Sequence, residues 1–192
     1  MKKFIVLKAF MALLVGFVSL GLLSCNDNDG PDIPPVKLQD VIGNYKGKLI
    51  ISQGNNKNES IVGFAVKKDT IKFTDLPVKE IVKAVVKDPV KTEAALVALG
   101  KIKYNLNYTG AINTYYNAVE LTFAPKTLEL NIPMDGAIKK TIVTFAAKEK
   151  GFYVGQNYAM KFGLVAEKIT VDGAVLTPYE MIKYDFPYCI KN

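Results

Sequence analysis

Apolar and polar side chains alternate along most of the chain from residue 41 onward, and this alternation limits the possible folds more than any other feature. In "KIKYNLNY", residues 101–108, every second residue is apolar or aromatic and the others are Lys or Asn. Successive side chains of a strand point to opposite faces, so the segment predicts a strand with one buried face. The same alternation recurs in "NYKGKLIIS", "NAVELTF", "TLELNI", "NYAMKFGLV" and "MIKYDFPYCI". One-faced strands of this kind favour antiparallel pairing.

The last two segments each predict a buried face of aromatic and aliphatic residues. The first of these faces consists of Tyr158, Met160, Phe162 and Leu164. The second consists of Ile182, Tyr184, Phe186, Tyr188 and Ile190. Pro187 interrupts the second face, and proline has no N–H to donate to a neighbouring strand. The final strand is therefore expected to lie at a sheet edge or to contain a bulge at Pro187.

Turn-forming residues separate the strands. They occur in "QGNN" at 53–56, "PMDG" at 133–136, "EKG" at 149–151 and "VDG" at 171–173. Gly, Asn, Asp and Pro in such short clusters predict hairpins between successive strands. The strands are therefore expected to follow one another in a meander.

The alternation gives way once to a helical pattern, between residues 75 and 100. Asp75 is the expected cap of a first helix, since apolar residues after it recur at helical spacing. Asp88 and Pro89 are the expected start of a second helix, which Gly100 can end. Two short helices are predicted near residues 76–99.

Together these patterns predict an α+β domain built on a mostly antiparallel sheet of about eight to ten strands. Two short helices cannot cover the apolar face of so broad a sheet. The sheet is therefore expected to curve strongly or to close into a barrel, with the helices covering one end or side.

The N-terminus has the composition of an export signal. Lys2, Lys3 and Lys8 precede 15 uncharged residues, 9–23, and Cys25 follows directly. As a helix this stretch spans about 22 Å, less than the roughly 30 Å hydrocarbon core of a bilayer, so a cleaved signal is the better interpretation. Cys25 could be a free thiol, half of a disulfide, a nucleophile or a lipid attachment point.

Leu22, Leu23 and Ser24 before Cys25 resemble the bacterial lipobox, in which signal peptidase recognises the residues preceding an invariant cysteine. The resemblance implies a diacylglyceryl group on the Cys25 sulfur, cleavage before Cys25 and anchoring by two or more acyl chains, which hold a protein stably. Segment 26–30 resembles the acidic segment of Bacteroidetes outer-membrane lipoproteins, for which display on the outer surface is expected. Membrane lipid is thus an expected partner.

The domain organisation expected from these features has three parts. Residues 1–24 form the lipoprotein signal peptide and residues 25–40 the lipidated N-terminus with a Pro-rich tether. Residues 41–192 form a single β-rich domain, a length that supports one core.

Missing residue types exclude several function classes. The chain has no His, Arg or Trp, and its 25 basic residues are all Lys. Nucleic-acid recognition relies on Arg and on basic clusters, so no nucleic-acid partner is expected. Catalytic triads and most zinc sites need His, so no catalytic residue, metal ligand or cofactor is predicted. Cys189 is expected to be an inert thiol within or beside a strand.

Tyrosine is the residue type that best fits ligand binding, because it combines an aromatic ring with a polar tip. Tyr104, Tyr108 and Tyr115 are the ligand-binding candidates. Tyr104 and Tyr108 share a strand face with apolar residues, which also makes them core candidates. If the segment is a strand, Tyr115 and Tyr116 point to opposite faces and one of them is exposed.

The opening "IGNYKGKL" and the strands after it resemble the start of calycin-like and lipocalin-like β-barrels, which implies an apolar ligand. Three functions remain open. A small-molecule binding domain, the preferred hypothesis, predicts a cavity lined by inward side chains. A module that binds an envelope protein or a glycan predicts a filled core and an exposed Tyr or apolar patch. An enzyme, which is not expected, would require converging carboxylates.

Overall fold

The computed structural model describes residues 34–192. In this part of the chain, eleven strands and two α-helices are present. The strands are β1 (Gly43–Gln53), β2 (Asn56–Val66), β3 (Thr70–Phe73), β4 (Tyr104–Asn113), β5 (Ala118–Ala124), β6 (Leu128–Met134), β7 (Ala137–Ala146), β8 (Gly151–Val154), β9 (Ala159–Val171), β10 (Ala174–Val175) and β11 (Ile182–Lys191). The helices are α1 (Lys79–Val86) and α2 (Pro89–Leu99).

Eight of the strands form a closed antiparallel barrel. Their order around the barrel is β1, β2, β3, β4, β5, β8, β9 and β11, and β11 pairs with β1 to complete the ring. The β6–β7 hairpin extends the sheet from the second half of β9, and β10 pairs with the end of β9. The predicted α+β fold with an antiparallel, barrel-like sheet and two short helices is confirmed.

Side chains fill the interior of the barrel. Phe162 and Phe186 lie opposite each other on β9 and β11, and their rings stack with centroids 4.3 Å apart. The Phe64 ring stacks on Tyr45 at 5.4 Å and meets Phe186 edge-on at 6.2 Å. Each of the eight strands contributes side chains to this core, and the exposed fractions of these side chains range from 0% to 7%. The core lies within residues 36–189, so the compact unit 35–192 contains a complete core.

Pro187 forms a bulge in β11. The register shifts toward both partners of β11 there: the four β11 residues Phe186–Cys189 lie opposite the three β9 residues Met160–Phe162, and Pro187 also lies within the irregularity opposite β1. The expected bulge is therefore confirmed, and β11 is paired on both sides. The extra residue reverses the alternation, so Cys189 is buried while Tyr188 and Ile190 are 48% and 46% exposed. The prediction that Tyr188 and Ile190 face the core was wrong for this reason.

Tyr158 also departs from its predicted position. It directly precedes β9, has a φ of 51° and is 61% exposed. The left-handed backbone ends the Gly155–Asn157 turn, so the alternation of β9 begins only at Ala159. The remaining residues of that face, Met160, Phe162 and Leu164, are buried as predicted.

The second helix begins and ends as its sequence predicts, and the first begins later. The Asp88 carboxylate accepts a hydrogen bond from the Lys91 N–H at 2.9 Å, and Gly100 ends α2 with a φ of 63°. Asp75 does not cap α1, which starts at Lys79; its carboxylate accepts from the Ile102 N–H instead. Within residues 34–192, no helix combines the length and the apolar character needed to cross a membrane.

Different elements close the two ends of the barrel. The helical end lies beside the β1–β2 turn, where Glu80 of α1 accepts a hydrogen bond from the Asn58 side chain at 2.7 Å. The opposite end, called here the Val36 end, is crossed by residues 36–41. There the Tyr45 hydroxyl donates to the Val41 carbonyl at 2.7 Å, and the Lys191 ammonium donates to the Asp40 carbonyl at 2.8 Å.

Candidate ligand-binding groove

A groove of about 810 Å³ crosses the outer face of the barrel. Its apolar floor is formed by outward positions of four strands, Ile50, Phe152, Gly163, Val165 and Pro187. Each of these residues lies between two core residues or beside the β11 bulge, and all except Pro187 are half-buried. The volume falls within the roughly 300–1,000 Å³ range of small-molecule sites.

Backbone features make this face concave. The bulge at Pro187 bends β11, and Gly163 on the neighbouring strand has no side chain to fill the bend. Along one edge of β9, pairing with β8 stops at Lys161 and pairing with β7 starts at Val165. The connection between β7 and β8, residues 147–150, lies beside this gap and forms one wall of the groove.

Lysines outnumber acidic residues around the floor. The groove is lined by Lys57, Lys148, Lys150, Lys161 and Lys183 against Glu149 and Asp185. Lys148 pairs with Glu167 at 2.9 Å, and Lys150 pairs with Glu120, whose pKa is lowered by that hydrogen bond. Among the described residues, neither Lys161 nor Lys183 has a carboxylate within 4.0 Å.

Lys161 is held over the groove by an aromatic ring. Its ammonium lies 5.4 Å from the centroid of Phe152, a cation–π geometry. Lys183 lies on the adjacent β11, where its register partner on β9 is Val165. An apolar floor flanked by two cations that no carboxylate of residues 34–192 pairs with suits a ligand with an apolar body and an anionic head.

Two of the tyrosines proposed from sequence lie in the core and not in the groove. The Tyr104 hydroxyl donates to the Lys126 carbonyl and the Tyr108 hydroxyl to the Lys67 carbonyl, both at 2.8 Å. Burial raises the pKa of each hydroxyl to about 12. Both residues therefore serve packing, the alternative that their strand face suggested.

Tyr115, the third candidate, lies far from the core. Residues 114–117 form the turn between β4 and β5, not a strand, so the expectation of opposite faces does not apply. Tyr115 is 86% exposed and Tyr116 is 66% exposed. Their rings contact each other edge-on with centroids 4.7 Å apart.

Of the residues proposed around lipid attachment, Leu22, Leu23, Ser24 and Cys25 lie outside the described residues. The second cysteine, Cys189, is buried in β11 opposite Gly47 of β1. Burial raises the pKa of its thiol to about 12, with the Asp185 carboxylate adding to the rise. Such a thiol is a poor nucleophile and acts as a small apolar side chain.

Two buried polar side chains, Glu80 and Tyr184, lie inside the helical end of the barrel. Glu80 is 4% exposed, and its second carboxylate oxygen lies 3.6 Å from the Lys83 ammonium without a hydrogen bond. The buried Tyr184 hydroxyl also has no hydrogen-bond partner among the described residues, and burial raises its pKa. Residues 34–192 contain no group of three or more acidic or Cys side chains placed to hold a metal ion. The Glu80 contact to Asn58 serves to fasten α1 to β2.

Comparison with protein families gives one match. Residues 40–171 match the model of a domain of unknown function, DUF4840, over more than half of the chain. The chain belongs to this family. The DUF4840 match runs from the last turn before β1 to the end of β9, and β11, which closes the barrel, lies beyond it. No curated protein and no solved structure matches the chain.

Sequence reasoning missed the groove because its residues come from outward positions. Lys161 and Lys183 look like ordinary solvated lysines of amphipathic strands, and Ile50 and Val165 look like exceptions to the alternation. Two signals were available: Gly163 within a predicted strand, and Pro187. Glycine within a strand marks a bend or a place where another group approaches closely.

Proposed function

We propose that this protein is a cell-envelope lipoprotein whose barrel binds an amphipathic anion in the outer groove. The observation that carries the proposal is the combination of an apolar floor with Lys161 and Lys183, which have no carboxylate within 4.0 Å in the part of the chain from residue 34 onward. Binding, and not catalysis, is the proposed activity. The filled interior favours the outer groove over the barrel lumen as the ligand site.

The two parts of the groove supply different contributions to affinity. Burial of an acyl chain on the floor contributes about 0.8 kcal/mol per fully buried methylene. Each exposed lysine contributes about 0.2–1 kcal/mol to an ion pair with the head group. The floor is therefore expected to set most of the affinity, and the lysines to select the charge of the head group.

The groove is tested by filling it. A Cβ on Gly163 would lie 3.6 Å from the Tyr184 carbonyl oxygen, an ordinary contact, so Gly163→Leu is expected to fold and to occupy the groove. The variant should bind dodecanoate at least about tenfold more weakly than the unchanged unit 35–192 in titration calorimetry, because the floor is covered. Gly63→Leu is the matched control.

Gly63 is an equivalent site outside the groove. It also faces outward on a strand, and its Cβ would also lie 3.6 Å from a backbone oxygen, that of Tyr45. It lines a separate depression of about 440 Å³, so its replacement is expected to leave dodecanoate binding unchanged. Equal binding by wild type and Gly163→Leu would contradict the groove as the ligand site.

Selectivity for an anionic head is tested in the same titration. Dodecyl maltoside has the same alkyl chain without the charge and is expected to bind more weakly than dodecanoate. Lys161→Gln combined with Lys183→Gln should weaken dodecanoate binding about 2- to 30-fold. Lys72→Gln with Lys103→Gln removes the same charge elsewhere and should have no such effect.

Attachment to the membrane is proposed from the residues around Cys25. The lipobox-like Leu22, Leu23 and Ser24 and the preceding apolar stretch support it. In a bacterium that processes lipoproteins, an alkyne fatty acid should label the wild type and not Cys25→Ala, because the sulfur is the acceptor. Cys189→Ala removes the other cysteine and should keep the label. Label retained by Cys25→Ala would contradict lipid attachment.

Display on the outer surface is the further part of this proposal. The acidic segment 26–30 supports it, together with the expected outer-membrane location. Protease added to intact cells is expected to digest the domain, whereas protection would place the domain on the inner side.

A further inference from the structure

Exposed aromatic and apolar side chains gather at the Val36 end of the barrel. Tyr115 and Tyr116 occupy the tip of the β4–β5 hairpin, 86% and 66% exposed. β3 pairs only with the first residues of β4, Tyr104–Asn107, so β4 continues beyond the end of β3, while β5 stays paired with β8 as far as Ala118 and the hairpin tip lies at the same end as the β8–β9 turn. Leu38 is 49% exposed at the same end.

The chain enters the barrel beside this hairpin tip. The Val36 N–H donates to the side-chain oxygen of Asn117 in the β4–β5 turn at 2.7 Å. The Val36 side chain lies 3.2 Å from the position that a Cβ on Gly155 would take, in the β8–β9 turn. Val36 is 4% exposed, so both contacts fix it between the two turns. At Val36 the chain is therefore held next to the turn that carries Tyr115 and Tyr116.

The length of chain before this point limits how the barrel can face a membrane. The chain between Cys25 and Val36, residues 26–35, spans at most about 36 Å, at about 3.3–3.6 Å per residue. β1, with its 11 residues, runs about 28 Å along the barrel axis, given about 3.3 Å per residue and a strand tilt of about 40°. Placing the helical end on the bilayer would use about 28 Å of this length to run back along the barrel.

We propose that the Val36 end docks on the lipid bilayer, with Tyr115 and Tyr116 in the head-group region. This inference rests on the proposed lipid attachment at Cys25. Tyrosine suits that region because its ring enters the apolar boundary while its hydroxyl stays hydrated. The docked barrel holds the helical end away from the membrane.

The absence of Trp from the chain provides a direct test. Tyr115→Trp introduces a single indole at the hairpin tip, and Val97→Trp introduces one at an 83% exposed position on α2, at the helical end. Each full-length lipidated variant is incorporated into phosphatidylcholine vesicles with brominated acyl chains. The Tyr115→Trp variant is expected to lose most of its emission and to shift to shorter wavelength, while Val97→Trp keeps its emission.

Flotation of the vesicles separates the two parts of the inference. A protein that does not float with the vesicles overturns both the lipid anchor and the docking. Flotation without quenching of Tyr115→Trp, or with equal quenching of both variants, overturns the docking alone. The Tyr115→Trp emission could instead shift further to shorter wavelength as more protein is added per vesicle, without being quenched by bromine. That result overturns the docking in favour of contact between copies of the chain.

Discussion

Replacing Gly47 by alanine is expected to destabilise the barrel by about 3 kcal/mol or more, measured as the free energy of unfolding in urea. Gly47 faces inward on β1 at the seam with β11. A Cβ there would lie 2.4 Å from the Tyr188 carbonyl oxygen, 2.5 Å from the Cys189 Cα and 2.7 Å from the Cys189 sulfur. Two of these atoms belong to the backbone of β11, so relief requires the two strands to separate.

Gly63 gives the matched control for this change. It lies on β2, pairs with Lys46 beside Gly47, and would place its Cβ no nearer than 3.6 Å to another atom. Gly63→Ala is expected to be neutral or stabilising by up to about 1 kcal/mol, because alanine reduces the entropy of the unfolded chain. Equal effects of the two substitutions would show that the closeness of β1 and β11 at Gly47 does not limit stability.

Truncation of Phe186 to alanine is expected to cost about 3–5 kcal/mol. The Phe186 ring is fully buried and contacts Phe162, Phe64 and Phe73, with centroids 4.3, 6.2 and 5.6 Å away. Its loss leaves a cavity bounded by three aromatic rings, which the closed barrel cannot collapse to fill. The same urea titration measures the effect.

Two further substitutions test the cause of that loss. Tyr188→Ala, on the same strand but 48% exposed, should change the unfolding free energy by no more than about 0.5 kcal/mol. Phe186→Leu keeps most of the volume and should cost less than about 1.5 kcal/mol. A cost for Phe186→Ala as small as that of Tyr188→Ala would contradict a packed barrel interior.

Local patterns predicted the elements well because each rests on neighbouring residues. The alternation of Tyr104, Leu106 and Tyr108 identifies the buried face of β4, and Asp88 with Pro89 identifies the start of α2. The turn at Asp135–Gly136 has φ values of 52° and 78°, which Asp and Gly tolerate, and joins β6 to β7 as predicted. Propensity and spacing suffice for features of this range.

Errors arose where one residue changes the phase of a pattern. Pro187 predicts a bulge, but continuing the alternation through it places Tyr188 inside, whereas the structure buries Cys189. Asp75 has the type of a helix cap, but its carboxylate binds the Ile102 N–H of the returning chain. Such a partner, 27 residues away, cannot be recognised from local sequence.

The groove lies beyond sequence reasoning for a related reason. Its floor combines outward residues of β1, β8, β9 and β11, which meet only because the ring closes. Each of these positions is individually an exposed site on an amphipathic strand. Their convergence depends on pairing between strands that are distant in the chain, which hydrophobic periodicity does not encode.

Pairing of the first barrel strand with the last has a consequence for how the chain folds. Tyr45 lies opposite Lys191, so contacts across this seam join residues from the two ends of the folded unit. A chain cut before Ile182 would leave both β1 and β9 with open hydrogen-bonding edges, which invite pairing with other chains. Contacts between residues so far apart in the sequence slow folding. The ring cannot close until the C-terminal segment has been synthesised and is free to reach β1.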